Sequence, residues 1–288
     1  MTNRSIISPP LPRVMLVPFV RAALLEDLGT AGDLTTDAIV PPGHRATTAL
    51  IARQPGVIAG LDLACLAFEL MDPSVEITIE RPDGTEVKPG DIIATIRGPA
   101  RALLTGERTA LNFLCHASGI ATATASIVTS ILPHKARIVD TRKTTPGLRS
   151  IEKYAVRIGG GANHRFGLDD AVLIKDNHIA IAGSVSEALQ RARQSIGHLV
   201  KIELEVDTLD QLVEALKIGV DAVLLDNMNT EKLTEAVKLV DGRALTEASG
   251  GVTPATAPAI AATGVDFISI GWLTHSAPIL DIGLDFIS

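Results

Sequence analysis

Six basic residues, Arg108, Arg142, Lys143, His164, Arg165 and Lys175, are the first group in this sequence whose types suggest chemistry. Taken singly, an arginine or lysine is usually solvated surface charge. Brought to one mouth, planar guanidinium groups grip carboxylate or phosphate through paired hydrogen bonds. The whole chain carries 26 Lys and Arg against 33 Asp and Glu, a net charge of −7. Such a surface repels nucleic acid and anionic lipid, so neither a nucleic-acid partner nor a membrane is expected. A basic cluster within it points instead to a small polyanionic substrate.

Two acids, Glu205 and Asp226, end consecutive apolar runs. Salt bridging to the lysines and arginines is one reading of them. The other is that they hold ribose hydroxyls or magnesium and stabilise positive charge developing on a sugar. Glu203 shares a strand face with Glu205, which is nearer the strand end and is favoured. A third group is a pair of small-residue turns, 247–253 and 269–275, with Ser249, Gly250, Gly251, Ile270 and Gly271 at their centres. Glycines let backbone N–H groups approach a phosphate, and a following helix N-terminus favours negative charge. Gly159, Gly160 and Gly161 follow a helical stretch over 151–158 and read as its end. No Gly-x-Gly-x-x-Gly opens a helix after a strand, so a nicotinamide-dependent Rossmann enzyme finds no support.

The elements that must position these groups change character near residue 116. Before it, strands are expected over 46–53, 75–79 and 92–96, with a helix over 61–71 and tight Gly/Pro turns over 81–98. This describes a small β-rich sandwich. Residues 101–131, rich in Ala, Leu and Thr without Pro, form long helical connections. From 137 the pattern repeats: short β-branched runs at 137–139, 171–174, 200–206, 222–225, 244–246 and 267–270, the last four separated by helices over 209–218, 230–240 and 254–263. Such alternation means parallel strands and right-handed crossovers. Polar groups end each run, which favours an α/β barrel, where sites gather at the C-terminal strand ends and a phosphate often sits after the last two strands. Six strands fall short of eight.

Composition agrees with a soluble α/β protein: 46% hydrophobic, 20% charged and only 3% aromatic, so aliphatic side chains fill the core. Cys65 and Cys115 show no metal-ligand spacing and suit a reducing compartment. The apolar residues over 14–20 are interrupted by Pro18, with no cleavage site after them. No run approaches the roughly 18 apolar residues of a membrane span. A cytoplasmic protein is expected.

The segments 107–114 and 118–122 resemble the central helices of the quinolinate phosphoribosyltransferase family, also called carboxylating nicotinate-nucleotide pyrophosphorylases. So do Asp140-Thr141-Arg142-Lys143 with the residues to Arg149, Gly159-Gly160-Gly161-Ala162-Asn163-His164-Arg165, Lys175-Asp176-Asn177-His178, Asp226-Asn227-Met228 and Glu247-Ala248-Ser249-Gly250-Gly251. Near the N-terminus, Glu26-Asp27-Leu28-Gly29 and Gly32-Asp33-Leu34-Thr35-Thr36 match too, so the resemblance spans essentially the whole chain.

The resemblance implies an N-terminal hammerhead-like α/β sandwich domain, residues 1–116 with the tail 279–288 packing back on it. An incomplete α/β barrel of parallel strands, 117–278, would follow it. It implies transfer of phosphoribosyl from phosphoribosyl pyrophosphate to quinolinate with loss of CO2. Arg142, Lys143, His164, Arg165 and Lys175 would bind the quinolinate carboxylates and the phosphates, with Thr141 beside them. Glu205 and Asp226 would address ribose and Mg2+, directly or through substrate. Ser249, Gly250, Gly251, Ile270 and Gly271 would cradle the 5-phosphate. Lys143, Lys175, Glu205 and Asp226 would be catalytic. Arg108 would reach into a neighbouring subunit's site, in a homodimer or a hexamer. Trp272 departs from the small residue expected after Gly271. Rival readings are a paralogous transferase with another acceptor, a Schiff-base aldolase using Lys143 or Lys175, and, from the turn-rich segment 83–93, a lipoyl or biotinyl carrier.

Overall fold

The computed structural model describes residues 9–287, so the first eight residues of the expected sandwich and the last of its tail lie outside the described residues. In chain order the elements are α1 (Arg13–Leu28), α2 (Leu34–Ile39), β1 (Arg45–Ala52), β2 (Gly56–Val57), α3 (Leu61–Met71), β3 (Glu76–Ile79), β4 (Glu86–Val87), β5 (Ile92–Pro99) and α4 (Ala100–Ser130). There follow β6 (Arg137–Val139), α5 (Arg149–Ile158), β7 (Val172–Ile174), α6 (Asp176–Ala182), α7 (Val185–Ser195), β8 (Ile202–Val206) and α8 (Leu209–Ile218). The chain closes with β9 (Ala222–Asp226), α9 (Thr230–Val240), β10 (Leu245–Ser249), α10 (Ala257–Ala262), β11 (Phe267–Ser269), α11 (Trp272–His275) and β12 (Ile282–Phe286).

These fall into two compact units. The first comprises residues up to 125, with 150–160 and the segment from 276 onward. Its antiparallel sheet has the order β12-β1-β5-β3. Asp83, in the Pro-Asp-Gly turn, ties this unit together: its carboxylate accepts the amides of Gly60 and Leu61, at the start of α3, and the hydroxyl of Tyr154 on α5. Glu152 of α5, fully buried, meets His116 Nε2 at 3.0 Å.

The boundary expected at 116/117 falls inside α4, because the helical signal of small and aliphatic residues runs unbroken to Ser130. A count of consecutive apolar residues also undervalues this helix. An 18-residue window within it averages a hydropathy of 1.3, long and apolar enough by length and composition to cross a membrane, and 56% of that window is buried inside the protein. Its serines and threonines interrupt the apolar run without opposing burial. Thr122 and Thr124 donate to carbonyls one turn back, at 2.7 and 2.8 Å.

The second unit, 126–149 with 161–275, is a six-stranded parallel sheet in the order β6-β11-β10-β9-β8-β7. Leu204, Val206, Val223, Leu225 and Ile268 are fully buried in its strands. The helices cover it with apolar stripes at helical spacing, Val185, Ala188 and Leu189 on α7, Leu212 and Ala215 on α8, and Leu233, Ala236 and Val240 on α9. Their starts are set by sequence: Thr208 and Gln211 form a reciprocal capping box, and Asn229 accepts the Lys232 amide at 2.9 Å. The edge strands β6 and β7 do not pair with each other. On the free side of β6, Ala162 makes one parallel bridge to Val139. The barrel is incomplete, which accounts for the strand shortfall.

Candidate active site

Strand alternation builds the site. Residues two apart on a strand share a face, so Leu173 and Lys175, Leu224 and Asp226, Glu247 and Ser249, Ser269 and Gly271 all line one cavity of about 710 Å³ at the C-terminal strand ends. Thr141, Arg142, Lys143, His164, Arg165, Glu205, Gly250, Gly251 and Ile270 complete it, with Asn227, Val252, Trp272 and His275. All the expected site residues except Arg108 therefore come together. Arg108 lies exposed on α4, in the first unit.

On the basic side, Lys175 Nζ donates to Glu205 Oε2 at 2.8 Å, and its backbone amide is fixed by His178 Nδ1 at 2.9 Å. Thr274 Oγ1 donates to the carbonyl of Lys143 at 2.7 Å, and the Lys143 amide is held by Thr141 Oγ1 at 3.0 Å. Arg142 and Arg165 each bury their Nε without a hydrogen-bond partner. Burial, and then the neighbouring Arg142, pulls the Arg165 pKa below its ordinary value. Two guanidinium groups crowded together with unmet donors form an arrangement that an anion would relieve.

Beneath this rim sits an acidic cluster. His164 Nε2 meets Glu203 Oε2 at 2.8 Å and lies 3.7 Å from Glu247 Oε1, while Nδ1 accepts the Arg165 amide at 2.7 Å. One potential ligand atom from each of these three residues lies within 4.8 Å of the others. Burial and the nearby Glu203 push the Glu247 pKa up to about 7 against the pull of His164, so a retained proton eases the repulsion between the carboxylates. The sequence pattern ends this strand at 246. β10 continues to Ser249, which places Glu247 inside the strand and not at its end. Of the two acids on β8, Glu205 is the one that lines the cavity.

The two turns differ in how they are shaped. Gly250 and Gly251 take positive φ, +98° and +57°, and a Cβ on Gly250 would stand 2.1 Å from Asn227 Oδ1. Asn227 itself has φ +51° and accepts no neighbour larger than glycine there. The available sequence signal for Asn227 was its type, since Asn directly after a strand-end acid is among the non-glycine residues that most readily take positive φ. At the other turn Trp272 is half-buried, and its Nε1 donates to the Val252 carbonyl at 2.9 Å. The indole thus joins the two turns. Gly159, in the first unit, ends α5 and lets it approach α4: a Cβ there would meet the Ala121 carbonyl oxygen at 2.4 Å.

Two domain families match the chain in succession. The quinolinate phosphoribosyl transferase N-terminal domain covers residues 33–118, and its C-terminal domain covers 120–285. A probable nicotinate-nucleotide pyrophosphorylase [carboxylating] of Bacillus subtilis is 47% identical over 91% of this chain and 90% of its own length. The nicotinate-nucleotide pyrophosphorylase [carboxylating] of Mycobacterium leprae is 47% identical over 92% of this chain and 95% of its own. Among solved structures, NadC from Streptococcus pyogenes superposes with a TM-score of 0.94 at 42% identity, covering 98% of this chain and 100% of that one. On both halves, and over nearly its full length, the chain belongs to the quinolinate phosphoribosyl transferase family.

Proposed function

We propose that this chain transfers the phosphoribosyl group of phosphoribosyl pyrophosphate to the ring nitrogen of quinolinate. Pyrophosphate and CO2 leave and nicotinate mononucleotide forms, a step of de novo NAD synthesis. The observation that carries this reading is the pair Arg142 and Arg165, with buried unmet Nε donors, beside Lys143 and Lys175 and opposite Glu205 and Asp226.

In this reading Arg142, Arg165 and Lys175 hold the two carboxylates of quinolinate. His164, both of whose ring nitrogens face protein partners, holds the Arg165 backbone in place. Lys143 meets the phosphates, and Thr141 fixes its amide. Ser249, Gly250, Gly251, Ile270 and Gly271 receive the 5-phosphate. The pyridine nitrogen attacks the anomeric carbon as pyrophosphate departs, and the sugar becomes oxocarbenium-like. Carboxylates at Glu205 and Asp226 favour that charge electrostatically. Holding both substrates by their anionic groups supplies the orientation the attack needs. The adjacent carboxylate then leaves as CO2, its bonding pair stays on the ring carbon stabilised by the neighbouring positive nitrogen, and a proton from solvent completes nicotinate mononucleotide.

Magnesium fits the donor set, since Glu205 and Asp226 offer hard carboxylate oxygens but no full protein cage, as suits an ion carried mainly on phosphates. When bound, it neutralises charge on the departing pyrophosphate. The proposed assembly is a homodimer in which Arg108 of one chain serves the other's cavity, and the proposed setting is the cytoplasm. A Schiff-base aldolase is disfavoured: the Lys175 ammonium is paired with Glu205, which favours its charged form, and Lys143 is exposed rather than desolvated in an apolar pocket.

The test is product analysis after mixing the protein with quinolinate, phosphoribosyl pyrophosphate and Mg2+, with nicotinate as the rival acceptor. Nicotinate mononucleotide and CO2 in equal amounts are expected from quinolinate. Product from nicotinate alone would reassign the acceptor.

A further inference from the structure

The chain contains one tryptophan, and it stands where the two glycine turns meet. The turn after β10 lacks anchors of its own. Gly250 and Gly251 have positive φ and no side chains, and a Cβ added to Gly251 would find no other atom within 4 Å. Such a segment loses much conformational freedom when it orders. Its entry is fixed where the Asn227 amide donates to the Ser249 carbonyl at 3.0 Å. Its exit is fixed where Thr253 and Thr256 exchange amide-to-hydroxyl bonds at 2.9 and 3.2 Å. Between those points, the Val252 carbonyl is held by the indole N–H of Trp272, a group that can only donate. Trp272 directly follows Gly271, so the strut ties one turn to the other.

We propose that Trp272 is a positioning residue for the 5-phosphate: its indole N–H holds the 249–252 turn in ligand-ready form. Both turns then close on the phosphate as one unit. This rests on the reading of the two turns as the phosphate cradle. Losing the strut returns conformational freedom to the turn, and this weakens phosphoribosyl pyrophosphate while leaving quinolinate and the chemical step alone.

Because the chain has no other tryptophan, emission excited selectively in the indole band, clear of Tyr154, reports this one position. Titrating the wild-type protein with ribose 5-phosphate is expected to give a saturable change in emission that ribose alone does not give. The variant Trp272→Phe keeps an aromatic ring and deletes the donor. Its KM for phosphoribosyl pyrophosphate is expected to rise about three- to tenfold, the worth of one net hydrogen bond, with kcat and the KM for quinolinate changed less than about twofold.

An unchanged KM for phosphoribosyl pyrophosphate in a folded Trp272→Phe would overturn the proposal. So would a uniform loss across kcat and both KM values. Were the variant not to fold, a flat wild-type emission on saturation with ribose 5-phosphate would overturn it as well. A wild-type protein that makes no product from quinolinate yet shows the emission change would sink the proposed reaction and spare the role of Trp272.

Discussion

A Cβ on Gly271 would stand 2.7 Å from Cδ of Lys143, so the bare α-carbon after β11 is what lets the lysine stem lie across the neighbouring turn. The clash in Gly271→Ala falls on a flexible side chain, and the backbone there needs no positive φ. The fold is therefore expected to survive while the ammonium moves. A displacement near 1 Å is enough to lower kcat/KM by up to ~10²-fold. Steady-state kinetics beside a circular dichroism melt would show both halves; a melt that drops with activity intact would refute it.

Arg165→Ala deletes one of the two crowded guanidinium groups. Turnover with quinolinate is expected to fall by ~10²–10³-fold, the usual loss when one preorganised charged donor goes. Because burial and Arg142 already disfavour the charged Arg165, its removal relieves repulsion, and Tm should stay within about 4 °C of wild type. Lys143→Ala is expected to behave alike. Activity near wild type in both variants would disprove the site assignment.

Glu247 gives a pH signature. Its folded pKa of about 7 exceeds the ordinary 4.5, first through burial and then through Glu203. The folded chain keeps a proton that the unfolded chain releases. This residue's contribution to stability is thus present in acid, falls as pH rises from about 4.5 to about 7, and is lost above that. Glu247→Gln cannot ionise, so its stability relative to wild type should improve between about pH 5 and about pH 8. Urea denaturation at both pH values decides it, and a constant difference would mean that the carboxyl titrates normally.

Should Arg108 serve a partner's cavity, two inactive variants ought to rescue each other. Arg108→Ala and Lys143→Ala proteins, each inactive alone, are expected to recover part of the wild-type activity after subunit exchange, because some mixed dimers carry one intact site. Mixing that restores nothing, with exchange verified by tagged chains, would place Arg108 outside the chemistry.

Gly159→Ala tests the close approach of α5 to α4. The methyl would meet a backbone oxygen, which cannot swing aside, so a loss of about 1–3 kcal/mol is expected. Chemical denaturation measures it, and a change under ~0.5 kcal/mol would show that the helices separate freely.

How far the fold could be read depended on whether each element carried its own signal. α3, α8 and α9 have apolar spacing, α8 and α9 also carry their own N-caps, and the bounds of all three agree with the periodic reading. α1 was missed because Pro18 sits inside it, although Leu16, Val20 and Leu24 keep a four-residue spacing on its buried face. α7 carries Ser184 and Glu187 at capping distance, a cue that a polar helix surface hides. β12 had no local signal at all, since its definition is its pairing with β1. In the site, strand ends located the rim residues, but a polar Glu247 within β10 mimicked a strand end. The hydrogen bond from Trp272 to Val252 joins residues 20 apart and had no signature in either turn.

The pairing of β12 with β1, Thr48 opposite Phe286, also orders events during synthesis. While the ribosome makes everything between them, β1 waits with one side of its ladder unmatched. An open strand flank of this kind invites pairing with another nascent chain. Early folding intermediates of this protein should therefore be most aggregation-prone along β1, and a peptide copying β12 supplied in trans should suppress that aggregation.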